Sequence, residues 1–244
     1  MEATLLLCAA LFTAAPGETG LASSANFIVY APNQDLAESY RHELAQSWLG
    51  EKLAEGEGPV IVHVKISHQH DHAAMLPLEK HRRTHHMIWL DTSTEMAQGA
   101  TLAHELLHCV LATKFGPALP VFAHEGCASE QDDAGVLAVR ERKLRQMAAN
   151  QSWPSLSSVL DAPHFAATDQ TKYTVACSLA EFLFTLGSRA EFLKFAVDGA
   201  GGNWDQAARQ HYGFANLSDM ESRWRGWVVQ QMRVAGNREP VRRY

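Results

Sequence analysis

A chain of 244 residues that is 46% apolar and 20% charged has the make-up of an ordinary globular protein, with enough length for a sizeable core and no sign of a disordered or coiled-coil composition. Its net charge of −6 is mild and argues against a general nucleic-acid binder. No apolar run approaches the ~18 residues that a membrane-spanning helix requires.

Residues 1–22 read as a secretory signal peptide. Ala3 to Ala15 is a continuous apolar run followed by Pro16 and Gly17, and small residues offer cleavage points after Ala15 or after Ala22. The n-region departs from the usual pattern, with Glu2 and no Lys or Arg, so a buried N-terminal helix is the competing reading. The expected location is secreted or periplasmic, with the cytoplasm as the alternative. Beyond this segment Cys109, Cys127 and Cys177 form an odd set with no CxxC pair, which points to small core residues rather than a disulfide framework.

Asn26 to Tyr30 is a short β-rich run stopped by Ala31-Pro32-Asn33. Gln34 to Leu53 has helical periodicity, with Leu36, Tyr40, Leu44 and Trp48 at spacings of four, and a Gly/Glu/Pro turn cluster closes it. Val60 to Ile66 is the strongest strand pattern, and Met87 to Leu90 is a third short one. Between them lie His68, His70, His72, His81, His85 and His86. An extended chain would turn the first three the same way and allow a second metal, but no acidic or cysteine spacing completes a site, so a solvated loop or a rim with no metal of its own is the expected reading. Thr92 with Glu95 has the spacing of a capping box, so one helix is expected from there to about Lys114, ended by Phe115-Gly116-Pro117.

That helix carries His104-Glu105-Leu106-Leu107-His108. A helix turns once per 3.6 residues, so His104 and His108 stack on one face and can grip one zinc ion. Glu105, one step round, can reach a water held by that metal and take its proton as the water attacks a polarised carbonyl. Both flanks are apolar, as expected of a helix buried on several sides.

Pro120-Val-Phe-Ala-His-Glu-Gly-Cys-Ala128 follows after a short loop. With the His-Glu-x-x-His helix, this Pro, aromatic and Glu-Gly sequence resembles the gluzincin-type zinc metallopeptidases of the MA clan. The resemblance implies that Glu125 is the third zinc ligand, leaving a fourth position open for water. His124 competes for the role, but neighbouring helical residues point about 100° apart, so only one of the two is expected to bind. Many gluzincins place an Asp four residues after the ligand Glu to orient a motif histidine; Ser129 stands there in this chain, with Glu130 next, and either is a candidate. The helix after Thr171 resembles the one that carries a metal-facing Tyr in this family, which would make Tyr173 the oxyanion donor, with His164 and His211 as lesser candidates. The resemblance runs from about Asn26 to Met232 and is specific at His104–His108 and Glu125-Gly126.

The remainder reads as helical scaffold. One long helix is expected from Glu125 to Asn150. Further helices would start at capping boxes Ser188/Glu191, Asn203/Gln206 and Ser218/Glu221 and end near Val197, Tyr212 and Met232. The expectation is an α+β, zincin-like fold: a signal peptide over 1–22, then a single domain over 23–235, and a basic tail over 236–244. Within the domain, 23–114 would form an α/β sublobe with a small mixed sheet and the motif helix, and 115–235 a helical sublobe. The expected function is a zinc-dependent metallopeptidase with one zinc per chain, metal ligands His104, His108 and Glu125, and catalytic residues Glu105 and Tyr173. It would act on a peptide or protein substrate, without a nucleic-acid partner and without membrane insertion. The alternatives are a catalytically inactive zinc-binding module of the same fold, or a His-rich metal-binding protein built on His68 to His86.

Overall fold

The computed structural model describes residues 22–23, 27–29, 34–54, 60–66, 72–80 and 83–236. The expected signal peptide, save Ala22, and the basic tail beyond Gly236 lie outside these residues, as do His68, His70 and His81.

The fold is α+β. Five strands form a mixed sheet in the order β1 (Ala22–Ser23), β2 (Phe27–Val29), β3 (Val60–Ile66), β5 (Arg83–Thr92), β4 (His72–Lys80). β2, β3 and β5 run parallel, with Val62 opposite Ile88, while β1 and β4 are antiparallel additions at the two ends. The expected third strand is thus longer than Met87 to Leu90, and the histidine-rich stretch contributes a strand of its own. β4 carries Pro77, which an edge strand tolerates because one side of its backbone needs no ladder partner. Alternation along β3 and β5 buries Val60, Val62, His86, Ile88, Leu90 and Thr92.

Helix α1 (Gln34–Leu49) packs on the motif helix, which itself packs on β4 and β5. The motif helix is not continuous with its start signal. Ser93, rather than Thr92, caps a short α2 (Thr94–Gln98), and its hydroxyl accepts from the Met96 N–H. Gly99 then breaks the chain at φ −125° and ψ −125°, where an added Cβ would lie 3.0 Å from the Glu95 carbonyl oxygen, and α3 (Ala100–Phe115) begins anew. Nine residues of α3 are buried, among them Glu105 and His108. Gly116, at φ +52°, ends it in the left-handed region that glycine enters without steric cost.

The chain is helical from here on. After a 3-10 turn come α4 (Val121–Ala128), a second 3-10 turn (Ser129–Gln131) and α5 (Ala134–Asn150). The single helix expected from Glu125 to Asn150 is therefore two, divided at Asp132 and Asp133. The Asp133 carboxylate accepts from the N–H groups of Gly135 and Val136, competing with helix continuation and starting α5 instead. Then follow α6 (Leu156–Leu160), α7 (Gln170–Leu186), α8 (Arg189–Gly199), α9 (Trp204–Tyr212) and α10 (Leu217–Gly236). Ser188 caps α8 as expected, whereas Asn203 makes no side-chain cap and Asn216, not Ser218, caps α10 through the Asp219 N–H. One connected set of buried side chains runs from Ala37 in α1 to Val228 in α10. Among the described residues no helix is long and apolar enough to cross a membrane.

Candidate metal centre

His104 and His108 sit one turn apart on α3, with ring centroids 4.9 Å apart. From the second turn of α4 the Glu125 carboxylate faces both rings. Its Oε2 is 3.9 Å from His104 Nε2 and its Oε1 is 3.8 Å from His108 Nε2. One ligand atom from each of the three residues lies within 4.8 Å of the other two. A tetrahedral ion with bonds of about 2.0–2.1 Å separates its donors by about 3.4 Å, so small side-chain rotations suffice to close the set. These residues can hold a metal ion, and they are the only such group of His, Cys, Asp or Glu among the described residues.

Glu125 is aimed by two features of α4. Pro120 starts the helix with φ −72° and ψ 158°, which fixes where the turn begins. Gly126 then lets α4 lie directly on α7, since a Cβ there would be 2.7 Å from Ala180 Cβ and 3.0 Å from the Ala176 carbonyl oxygen. The Glu125 carbonyl also accepts a weak bond from the Cys177 thiol of α7 at 3.7 Å.

His124 does not join the donor group. Its ring lies 5.7 Å from that of His108, and its Nδ1 is buried with no hydrogen-bond partner. Burial, with His86 nearby, pushes its pKa down to about 4, so it stays a neutral wall of the site.

The residue that orients a motif histidine is neither Ser129 nor Glu130. The Ser129 hydroxyl donates to the Gly126 carbonyl at 2.7 Å, and Glu130 pairs with Arg189. Asp132 takes the role: its Oδ1 is 2.9 Å from His104 Nδ1. An ionised carboxylate only accepts, so Nδ1 carries the proton and the Nε2 lone pair is left to face Glu125. Arg140 of α5 in turn pairs with the other Asp132 oxygen. Asp132 was legible only as the residue before an Asp N-cap, a signal for a helix start and not for a metal centre.

The electrostatics follow from burial beside like charges. Burial pushes the Glu105 carboxyl up to about 7, opposed by His104 and reinforced by Glu125 and Asp132. Burial likewise raises Glu125, against the pull of His104 and Arg140. For His104 burial disfavours the cation, but the bond and charge of Asp132, with Glu105 and Glu125, outweigh it and raise the ring. His108, deeper and beside two other imidazoles, is held well below the usual range, first by burial. A metal cation would relieve the crowding of the three carboxylates directly.

Tyr173, in the first turn of α7, packs edge-on against Phe165 at 5.2 Å. Burial and then the charges of Glu125 and Glu105 push its phenol up to about 12, so it keeps its proton and can donate. His164 is exposed, and His211 has its two ring nitrogens bonded to Glu191 and Asp198, leaving no free N–H for an oxyanion. His85 and His86 lie on β5; His86 is wholly buried and bonds Thr113 at 3.1 Å.

No protein-family model, curated protein or solved structure matches the chain.

Proposed function

We propose that the protein is a zinc-dependent metallopeptidase with a zincin-like fold of the gluzincin type, acting on peptide or protein substrates outside the cytoplasm. The observation that carries this reading is the convergence of His104, His108 and Glu125 beside a buried carboxylate, Glu105, that is not one of the three donors. Two imidazoles and one carboxylate match zinc in donor type and number, and they leave the ion one position short of four. A purely structural zinc has no use for a base next to it.

Zinc, when bound there, supplies a Lewis acid that polarises a carbonyl and lowers the pKa of a water to about 7. The protein's own groups do the rest. Glu105 takes the water's proton on a carboxylate oxygen and passes it to the leaving amine nitrogen, roles suited to a buried carboxylate that stands beside the donors without being one of them. Asp132 holds the His104 ring in one tautomer. The Tyr173 O–H donates to the oxygen on which negative charge develops.

The test is metal analysis of the purified protein beside cleavage of a peptide library. About one zinc per chain is expected, with chelator-sensitive cleavage. Glu105→Gln should keep the metal while cleavage falls by about 10²–10⁴-fold. Metal-free wild-type protein at neutral pH, or undiminished cleavage by Glu105→Gln, overturns the proposal; metal without turnover in the wild type identifies the inactive binding module.

A further inference from the structure

The donor set explains three residues of the centre and leaves a fourth contact without a role. Arg140 lies on α5, eight residues beyond Asp132, and its guanidinium pairs with Asp132 Oδ2 while Asp132 Oδ1 holds His104 Nδ1. The side chains of Arg140 and Asp132 are only 13% and 9% exposed. A surface pair at that spacing contributes little, but a largely desolvated Arg–carboxylate pair fixes both partners in place. Three carboxylates, Glu105, Glu125 and Asp132, crowd one small volume, and Arg140 is the cation paired with one of them.

We propose that Arg140 is a positioning residue for the metal centre, acting through Asp132 to hold the His104 imidazole with Nε2 turned towards the metal. The inference rests on the metal-binding reading above and extends it from the donors to a chain of contacts running from α5 to α3. It follows from how the chain breaks at Asp132. Because α4 ends at Ala128 and the 3-10 turn ends at Gln131, Asp132 stands in an extended linker with φ −69° and ψ 147°. A carboxylate on such a linker has no helix of its own to set its rotamer. Arg140 ties it to the second turn of α5, so the placement of α5 is transmitted to a zinc ligand. Without Arg140, Asp132 would be free to turn to solvent, and His104 would lose the acceptor that selects its tautomer.

The experiment measures metal affinity, not activity. Zinc affinity is read by competition with a chromogenic chelator, and the cobalt-substituted protein is read by its visible absorption, for wild type, Arg140→Gln, Arg140→Lys, Asp132→Asn and the double variant. Arg140→Gln should weaken zinc about 10-fold or more, Asp132→Asn by a similar or larger factor, and Arg140→Lys should recover part of the loss. Because one residue acts through the other, the double variant should bind no more weakly than Asp132→Asn alone. Native-like circular dichroism of each metal-free variant separates misfolding from loss of the centre, and Arg140→Lys keeps the test open if Arg140→Gln fails to fold. Affinity within two-fold of wild type in Arg140→Gln, or losses that simply add in the double variant, overturns the inference. If His104→Ala binds zinc as tightly as wild type, it is the metal centre itself that fails.

Discussion

His86, wholly buried, and His104, partly buried, have different neighbours, and that difference sets their chemistry. His104 faces Asp132, Glu105 and Glu125, which raise its pKa despite burial. His86 is wholly buried, and burial, with His85 and Arg41 adding positive charge, pushes its pKa down to about 4. Its Nδ1 has no partner and its Nε2 bonds Thr113. The unfolded chain takes a proton near pH 6.5 and the folded one only near 4, so the unfolded state binds more protons between these values. The stability that His86 contributes is present above about pH 6.5 and is lost as pH falls towards 4, by up to about 3 kcal/mol. Urea midpoints for wild type and His86→Gln across that window check this: the variant, which keeps a bond to Thr113 but cannot charge, should show a shallower acid slope. A slope identical to wild type would reject the assignment.

At the scale of elements, the centre depends on how closely α4 approaches α7. Glu125 is useful only if α4 is held at a depth where its carboxylate meets two imidazoles on α3, and Gly126 sets that depth because hydrogen is all that fits against Ala176 and Ala180. In Gly126→Ala the helices must separate by a few tenths of an ångström or more, since backbone cannot yield as a flexible side chain would. We expect a loss of about 1–3 kcal/mol of stability from overpacking, together with weaker metal binding. Thermal unfolding and chelator competition measure the two effects, and Gly126→Ala with wild-type metal affinity would show that α4 does not need this contact to aim Glu125. The same scale explains the breaks in the helices. At Gly99 and at Asp132-Asp133 the backbone leaves helical geometry although the surrounding sequence is helix-forming, and the second break delivers Asp132 to His104.

For the whole molecule, the candidate metal centre bridges two helices, α3 and α4, that share one continuous core. α3 packs on α1, on β4 and β5, and on α4, while α4 packs most extensively on α7. An ion held by His104, His108 and Glu125 would tie α3 to α4, and it would bind the folded chain, in which the three donors converge. Mass action would then stabilise the protein by about 4 kcal/mol at free metal a thousand times the dissociation constant. Chelation should accordingly lower the melting temperature of the wild type by several degrees. In His108→Ala, melting should be nearly indifferent to chelator, and an equal chelator shift in both would place the stabilising metal elsewhere.

The sequence by itself determined the local terms: the α3 donors His104 and His108 with Glu105 between them, the strand at Val60–Ile66, Ser188 as a cap, and the α+β class. Each rests on a period or a short-range contact that neighbouring residues already encode. The same reading missed what distant groups decide. Thr92, Asn203 and Ser218 have capping spacing, yet Ser93 and Asn216 cap instead, and Asn203 makes no side-chain cap, because several polar residues near a helix start can serve and packing selects among them. A helix from Glu125 to Asn150 was a reasonable expectation until Asp133 had to start α5. The resemblance already favoured Glu125 over His124, and the tertiary structure supplies the angle at which α4 brings its carboxylate to the two imidazoles of α3. It alone could bring Asp132 and Arg140 to the back of His104. Those contacts join residues 28 and 8 positions apart across separate elements, and no local pattern records an angle between helices.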